Sequence, residues 1–148
     1  MKLAHAWMVL VVGLAPALAQ ETKEEAPSVA GTWTIQAIEA PGGVKLEGDL
    51  LKGASMAFAD GKVTMKVVGQ TVAAAFKITP GKPHFMDIIP SEGPQKDKTS
   101  KCIFELSGKD KDEIKMCVAE PDVERPKEFK ATIEGKTTII YLKREEKK

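Results

Sequence analysis

The sequence predicts an all-β protein built from about nine short antiparallel strands. From Gly31 onward, apolar and polar residues alternate with a period of two, which is typical of strands that bury one face. Short turn motifs such as Asp60-Gly61 and Glu134-Gly135 separate the alternating segments. Helical periodicity is confined to one turn at 46–52 once the N-terminal region is set aside. A meander of this kind either closes into a barrel or folds into a sandwich.

The strands follow the alternation in chain order. In the first, Trp33, Ile35 and Ala37 share a face and polar residues occupy the other. Residues 85–89 are apolar on both faces, which favours burial on both sides of that strand. The predicted strands are 33–37, 54–58, 63–67, 72–78, 85–89, 102–106, 114–118, 129–133 and 138–142.

The N-terminus has the pattern of a secretory signal peptide. One lysine precedes an apolar run over 6–15, and the small-residue site Ala-Leu-Ala at 17–19 predicts cleavage before Gln20. The run is short for a membrane span, and an uncleaved anchor or a buried helix is the alternative interpretation. No cysteine follows the run to carry a lipid. We therefore expect a soluble periplasmic or secreted product.

The charge of the exported part is balanced. The chain carries 22 Lys and Arg residues against 21 Asp and Glu residues, and one of the lysines lies in the signal. A balanced chain lacks the basic excess that nucleic-acid binding requires, so we expect no nucleic-acid partner. We also expect no membrane span after signal cleavage. The predicted organisation is a signal peptide at 1–19, a flexible leader at 20–28, one β-barrel domain at 29–144 and a charged tail at 145–148.

Catalytic and metal-binding patterns are missing from the sequence. His84 is the sole histidine after the signal, so catalytic triads with a second histidine and multi-histidine zinc sites fail by count. His84 with Asp87 and a cysteine is conceivable as a site, but a surface histidine at a strand start is the simpler interpretation. Lysines alternate with the acids over 109–113, which cancels the charge that a calcium loop needs. We expect no enzyme activity, no catalytic residues, no metal and no cofactor.

The two cysteines lie at opposite ends of one predicted hairpin. Export favours a disulfide between Cys102 and Cys117. The alternation opposes it, because Cys102 shares a face with Phe104, whereas Cys117 alternates with Met116. The sequence does not decide whether the two cysteines form a disulfide. It favours one inward thiol and one outward thiol, of which the outward thiol is the more reactive.

Several segments, taken in order, resemble a known family. "GTWTIQAIE", "LKGASMAFADGKVTMK", "PHFMDIIPSEGP", "IFEL", "IKMCVAEPDVERPKEF" and "YLKRE" are similar to the small secreted lipocalin-like domain found in many copies in planctomycete bacteria, whose function is uncharacterised. The resemblance covers nearly the whole mature chain. It places Cys117 on the family's "C-[LV]-A" strand and Arg125-Pro126 on its "RP-x-EF" element. Cys102 departs from the family pattern, where glycine is more frequent.

The resemblance implies an antiparallel up-and-down lipocalin-like β-barrel of eight to nine strands. In lipocalins a Gly-x-Trp motif on the first strand closes the barrel floor, and an Arg from the last strand stacks over the Trp. Gly31, Trp33 and Arg144 match these positions, and a cation–π contact of this kind contributes about 0.5–2 kcal/mol. This role is structural.

Two functions fit such a barrel. The first is a binding module for a small hydrophobic ligand; the second is an interaction or structural module with a solid barrel, whose loops at 90–101 and 120–126 contact another exported macromolecule. Barrels of about eight strands are either filled by side chains or hold one small ligand, and the sequence leaves both open. Met56 is a further inward position. The candidate lining residues are Trp33, Phe58, Met65, Phe76, Phe104, Met116 and Phe129.

Overall fold

The structure is a computed structural model that describes residues 26–67 and 69–145. The predicted signal peptide, most of the predicted leader and residues 146–148 of the tail lie outside the described residues. Nine strands form one antiparallel sheet: β1 (Gly31–Ala40), β2 (Val44–Glu47), β3 (Ser55–Ala59), β4 (Lys62–Val67), β5 (Gln70–Thr79), β6 (His84–Pro90), β7 (Ser100–Ser107), β8 (Glu113–Ala119) and β9 (Thr137–Arg144).

Eight of the strands close into a barrel. Neighbours pair in the order β1, β3, β4, β5, β6, β7, β8, β9, and β9 pairs with β1 to complete the ring. The long strand β1 serves three partners, because its first half pairs with β3 and its second half with β2, while β9 runs along its other edge. The predicted all-β class and up-and-down lipocalin-like barrel are confirmed. The described residues contain two short 3-10 helices, Gly48–Leu51 and Lys109–Lys111, and no α-helix.

Two elements differ from the sequence prediction. Strand β2 was not predicted. Its four residues pair with β1 and add a ninth strand to the sheet outside the ring. The predicted strand at 129–133 does not form, because this stretch belongs to a long connection between β8 and β9 without strand pairing. We call residues 120–136 the outer segment, because it folds over the outside of the barrel.

The two ends of the barrel differ. The closed end carries the first residue of β1 and the last residue of β9, with the turns at 60–61, 80–83 and 108–112. Here the Trp33 indole Nε1 donates a hydrogen bond to the carbonyl oxygen of Val29 at 2.8 Å. The Arg144 guanidinium carbon lies 4.3 Å from the Trp33 ring centroid, and its Nη1 donates to the carbonyl oxygen of Ala30 at 2.7 Å. Gly31 has φ +120°, and a Cβ at this position would lie 3.2 Å from Arg144 Nη1, so glycine leaves room for the guanidinium.

A second apolar cluster lies between the barrel wall and the outer segment. Ile103, Cys117 and Ile139 point outward from β7, β8 and β9 and are buried. Phe129 packs on them with Ala131 and Tyr141. Phe129 therefore lies outside the barrel, and its prediction as a lining residue is wrong, because residue 129 is not on a wall strand.

Arg125 fastens the outer segment to the barrel. Its guanidinium donates to Asp87 Oδ1 at 2.6 Å and to the carbonyl oxygen of Cys102 at 2.8 Å. The guanidinium carbon also lies 4.5 Å from the centroid of the Phe85 ring. Asp87 and Phe85 both lie on the outer face of β6, two residues apart. One side chain thus joins the outer segment to β6 and β7.

Candidate functional site

The barrel interior is packed near the closed end. Trp33, Phe58 and Phe104 are fully buried there, and Met86 on β6 is fully buried in the same cluster. Phe76 packs edge-on against Phe58, with ring centroids 5.1 Å apart and an interplanar angle of 87°. Large side chains with ring contacts of this kind leave no room for a ligand in this half of the barrel.

The other end of the barrel contains an apolar cavity of about 190 Å³. It lies where inward positions carry small side chains, such as Ala74 in the middle of β5 and Ser100 at the start of β7. Three methionines, Met56, Met65 and Met116, contribute to its wall. We call this cavity the cup. Its lining residues are Met56, Val63, Met65, Val72, Ala74, Ile88, Pro90, Ser100, Met116, Val118 and Ile140.

The lining of the cup has no ionisable side chain, and Ser100 carries its one side-chain polar group. Val72 is 42% exposed, which places it at the mouth. An apolar wall recognises a ligand through removal of hydrocarbon surface from water rather than through ion pairs. The cup is smaller than the roughly 300–1,000 Å³ of a pocket for a drug-sized molecule. It therefore suits the apolar end of a ligand whose polar part stays in water.

The seven predicted lining residues divide into three groups. Met65 and Met116 line the cup. Trp33, Phe58, Phe76 and Phe104 belong to the barrel core but do not line the cup, and Phe129 lies outside the barrel. The structure brings Gly31, Trp33 and Arg144 together at the closed end.

Sequence reasoning missed the small residues that create the cup. Ala74, Pro90 and Ser100 occupy inward positions that a pattern of large apolar side chains does not identify. The signal that finds them is the small size of inward residues on neighbouring strands near one rim.

The two thiols are free and face opposite sides of the barrel wall. Cys102 lies opposite Val118 and Cys117 opposite Ile103, so the two cysteines occupy different faces. Cys117 is directed outward as predicted, but the outer segment covers it, and its Sγ lies 3.6 Å from the carbonyl oxygen of Lys130. Burial raises the pKa of both thiols, which makes each less reactive than an exposed thiol. That the outward thiol is the more reactive of the two stays a prediction.

The remaining polar candidates form no reactive group. His84 Nδ1 accepts a hydrogen bond from the Gly81 amide at 3.1 Å, and its ring lies 5.2 Å from that of Phe104. Asp87 points to the other face of β6 and binds Arg125. No group of three or more His, Cys, Asp and Glu side chains in the described part of the chain is arranged to hold a metal ion.

Comparison with protein-family models, with curated proteins and with solved structures found no significant match to the chain. Within residues 26–67 and 69–145, no helix is long and apolar enough to cross a membrane. The fold and the cup therefore carry the functional argument.

Proposed function

We propose that the protein is an exported, non-catalytic lipocalin-like domain that binds the apolar end of a small amphiphile in the cup. The observation that carries the proposal is the uneven filling of the barrel: the closed end is packed, whereas the opposite end keeps a cavity of about 190 Å³ with an apolar wall. The signal-like N-terminus and the resemblance to a small secreted lipocalin-like domain support export.

The volume of the cup limits the ligand. A group the size of a water molecule takes about 30 Å³ in a liquid, so a cavity of about 190 Å³ holds roughly six chain carbons. Each buried methylene contributes about 0.8 kcal/mol, which gives a gross gain of about 5 kcal/mol. Because association itself costs several kcal/mol, the affinity is modest unless the head group contributes contacts at the rim.

A chain-length series tests the proposal. Unbranched fatty acids of increasing length compete with a fluorescent fatty acid, and the dissociation constant is measured for each. We expect affinity to rise about fourfold per added methylene and to level off once about six carbons are buried. An affinity that rises without levelling indicates micelle-like adsorption and contradicts binding in the cup.

Two matched substitutions on β5 localise the binding. Ala74 points into the cup, whereas Ala75 is exposed on the outer face of the same strand. Ala74→Leu fills part of the cup, so the plateau moves to shorter chains and the affinity falls, while Ala75→Leu leaves both unchanged. Equal behaviour of the two variants rejects the cup as the site. Absence of probe binding leaves the second candidate, an interaction module that contacts another exported macromolecule through 90–101 and 120–126.

A further inference from the structure

β2 is the one strand in the described sheet with a free edge along its whole length. It pairs with β1 alone, and its residues make no backbone hydrogen bond outside that pairing. The eight strands of the ring have no such edge, because each lies between two neighbours. A free edge presents unpaired amide and carbonyl groups that can accept a further strand.

The side chains of β2 leave this edge accessible. Val44, Lys45 and Glu47 are exposed, and Leu46 is partly buried against the core. Val44 is 53% exposed, and Leu50, in the short helix that follows β2, is 64% exposed. An exposed strand edge next to two exposed apolar side chains is a usual composition for a protein contact.

The charges of β2 select the partner. A lysine on an edge strand commonly prevents pairing with another chain. Here Glu47 follows Lys45 on the same face, with Lys45 Nζ and Glu47 Oε2 3.4 Å apart. When two copies of this strand pair antiparallel about a twofold axis at Leu46, Lys45 of each copy lies directly opposite Glu47 of the other. The sequence of the edge is thus complementary to itself.

We propose that β2 is a homodimer contact, in which β2 of one molecule pairs antiparallel with β2 of a second copy and joins the two barrel walls. The pairing forms two cross-strand Lys–Glu contacts on the exposed face. In this register only residues 45–47 of β2 face β2 of the other copy, so the association is weak and depends on protein concentration. The cup is not part of this contact, and its proposed function is independent of it.

Charge reversals provide a test that does not rely on disrupting the fold. Sedimentation equilibrium measures association up to about millimolar protein, the range in which small interfaces associate. Lys45→Glu places two acids opposite each other twice in the dimer, and Glu47→Lys does the same with two bases. Each variant alone is expected to have an association constant at least about tenfold lower than that of the unaltered chain.

An equimolar mixture of the two variants makes the test specific for this register. In a mixed dimer the two glutamates of one molecule face the two lysines of the other, so association returns to the level of the unaltered chain. Lys130→Glu is the control, because Lys130 and Glu128 form another exposed ion pair, at 3.6 Å, within the outer segment. This control changes the net charge by the same amount as Lys45→Glu and is expected to leave association unchanged.

Each result decides the proposal. Concentration-dependent association that the single reversals weaken and the mixture restores supports it, and slower amide exchange at 44–47 at high concentration locates the contact. A protein that stays monomeric over the whole range overturns the proposal. Association that survives both reversals, or that the mixture fails to restore, assigns the dimer to another surface and overturns it as well.

Discussion

Replacement of Arg125 by alanine should open the outer segment while the barrel stays folded. The guanidinium links this segment to β6 and β7, with contacts to Asp87, to the carbonyl oxygen of Cys102 and to the ring of Phe85. A separate link to β9 is made by the Thr137 hydroxyl, which donates to the carbonyl oxygen of Lys130 at 2.6 Å. Under the segment lies the Cys117 thiol, which is fully buried. Reaction of Cys117 with a soluble disulfide reagent therefore reports how often the segment lifts.

The magnitude follows from the three contacts. Hydrogen bonds to charged groups contribute about 1.5–3 kcal/mol, but the Arg125 and Asp87 side chains are 23% and 35% exposed, so the lower end applies. A buried carbonyl left without its donor costs about 1 kcal/mol, and the cation–π contact adds about 0.5–1 kcal/mol. The total of about 3–3.5 kcal/mol corresponds to labelling of Cys117 that is faster by a factor of about 150 to 400.

The assay compares the two thiols in one protein. Mass spectrometry assigns the label to each cysteine over time, and Cys102, which points into the barrel core, reports global unfolding. Arg125→Ala should accelerate labelling of Cys117 far more than that of Cys102, whereas Lys127→Ala, two residues along the segment, should change neither. Equal acceleration of both thiols would show that the segment cannot open separately, and an unchanged Cys117 rate would refute the role of Arg125.

Two further predictions concern the barrel itself. Trp33→Ala should lower the free energy of unfolding by about 3–5 kcal/mol and Arg144→Ala by about 0.5–2 kcal/mol, as measured by urea denaturation. Equal losses would contradict the view that Trp33 stabilises the barrel mainly through core packing and only secondarily through its cation–π contact. Burial raises the pKa of the Cys102 thiol above its ordinary value of 9.0, so the folded protein keeps a proton that the unfolded chain releases. The stability due to this neutral thiol is complete below about pH 9 and falls above that pH by up to about 1.4 kcal/mol per pH unit. Cys102→Ala should make this decline in the free energy of unfolding less steep. An identical slope in the variant would argue against a contribution from the Cys102 thiol.

The strands of the ring were predictable because each buries its inward face against the core of the barrel. Residues such as Ile35 and Phe104 mark the inward face, and the alternation around them repeats for long enough to fix both strand and register. The stretch 129–133 shows the same alternation without being a strand. Phe129 and Ala131 do bury one side, but against the outside of a finished barrel, and a period of two cannot distinguish these two surfaces.

The site was less predictable than the fold. Residue type identified the side chains that face the barrel interior. The cup, however, depends on small inward side chains rather than large ones, and on which strands meet at the open rim. The link through Arg125 depends on a contact 38 residues away in sequence, with Asp87, which no local pattern encodes.

The packed end and the hollow end of the barrel give the protein two different tolerances to sequence change. Substitutions around Trp33, Phe58 and Phe104 disturb a close-packed assembly and are costly for folding. Substitutions around Val72, Ala74 and Val118 alter the shape of a space that folding does not require to be filled. Substitutions at the rim can therefore reshape the cup while the same packed floor keeps the barrel folded, which makes the rim the natural place to redesign the protein.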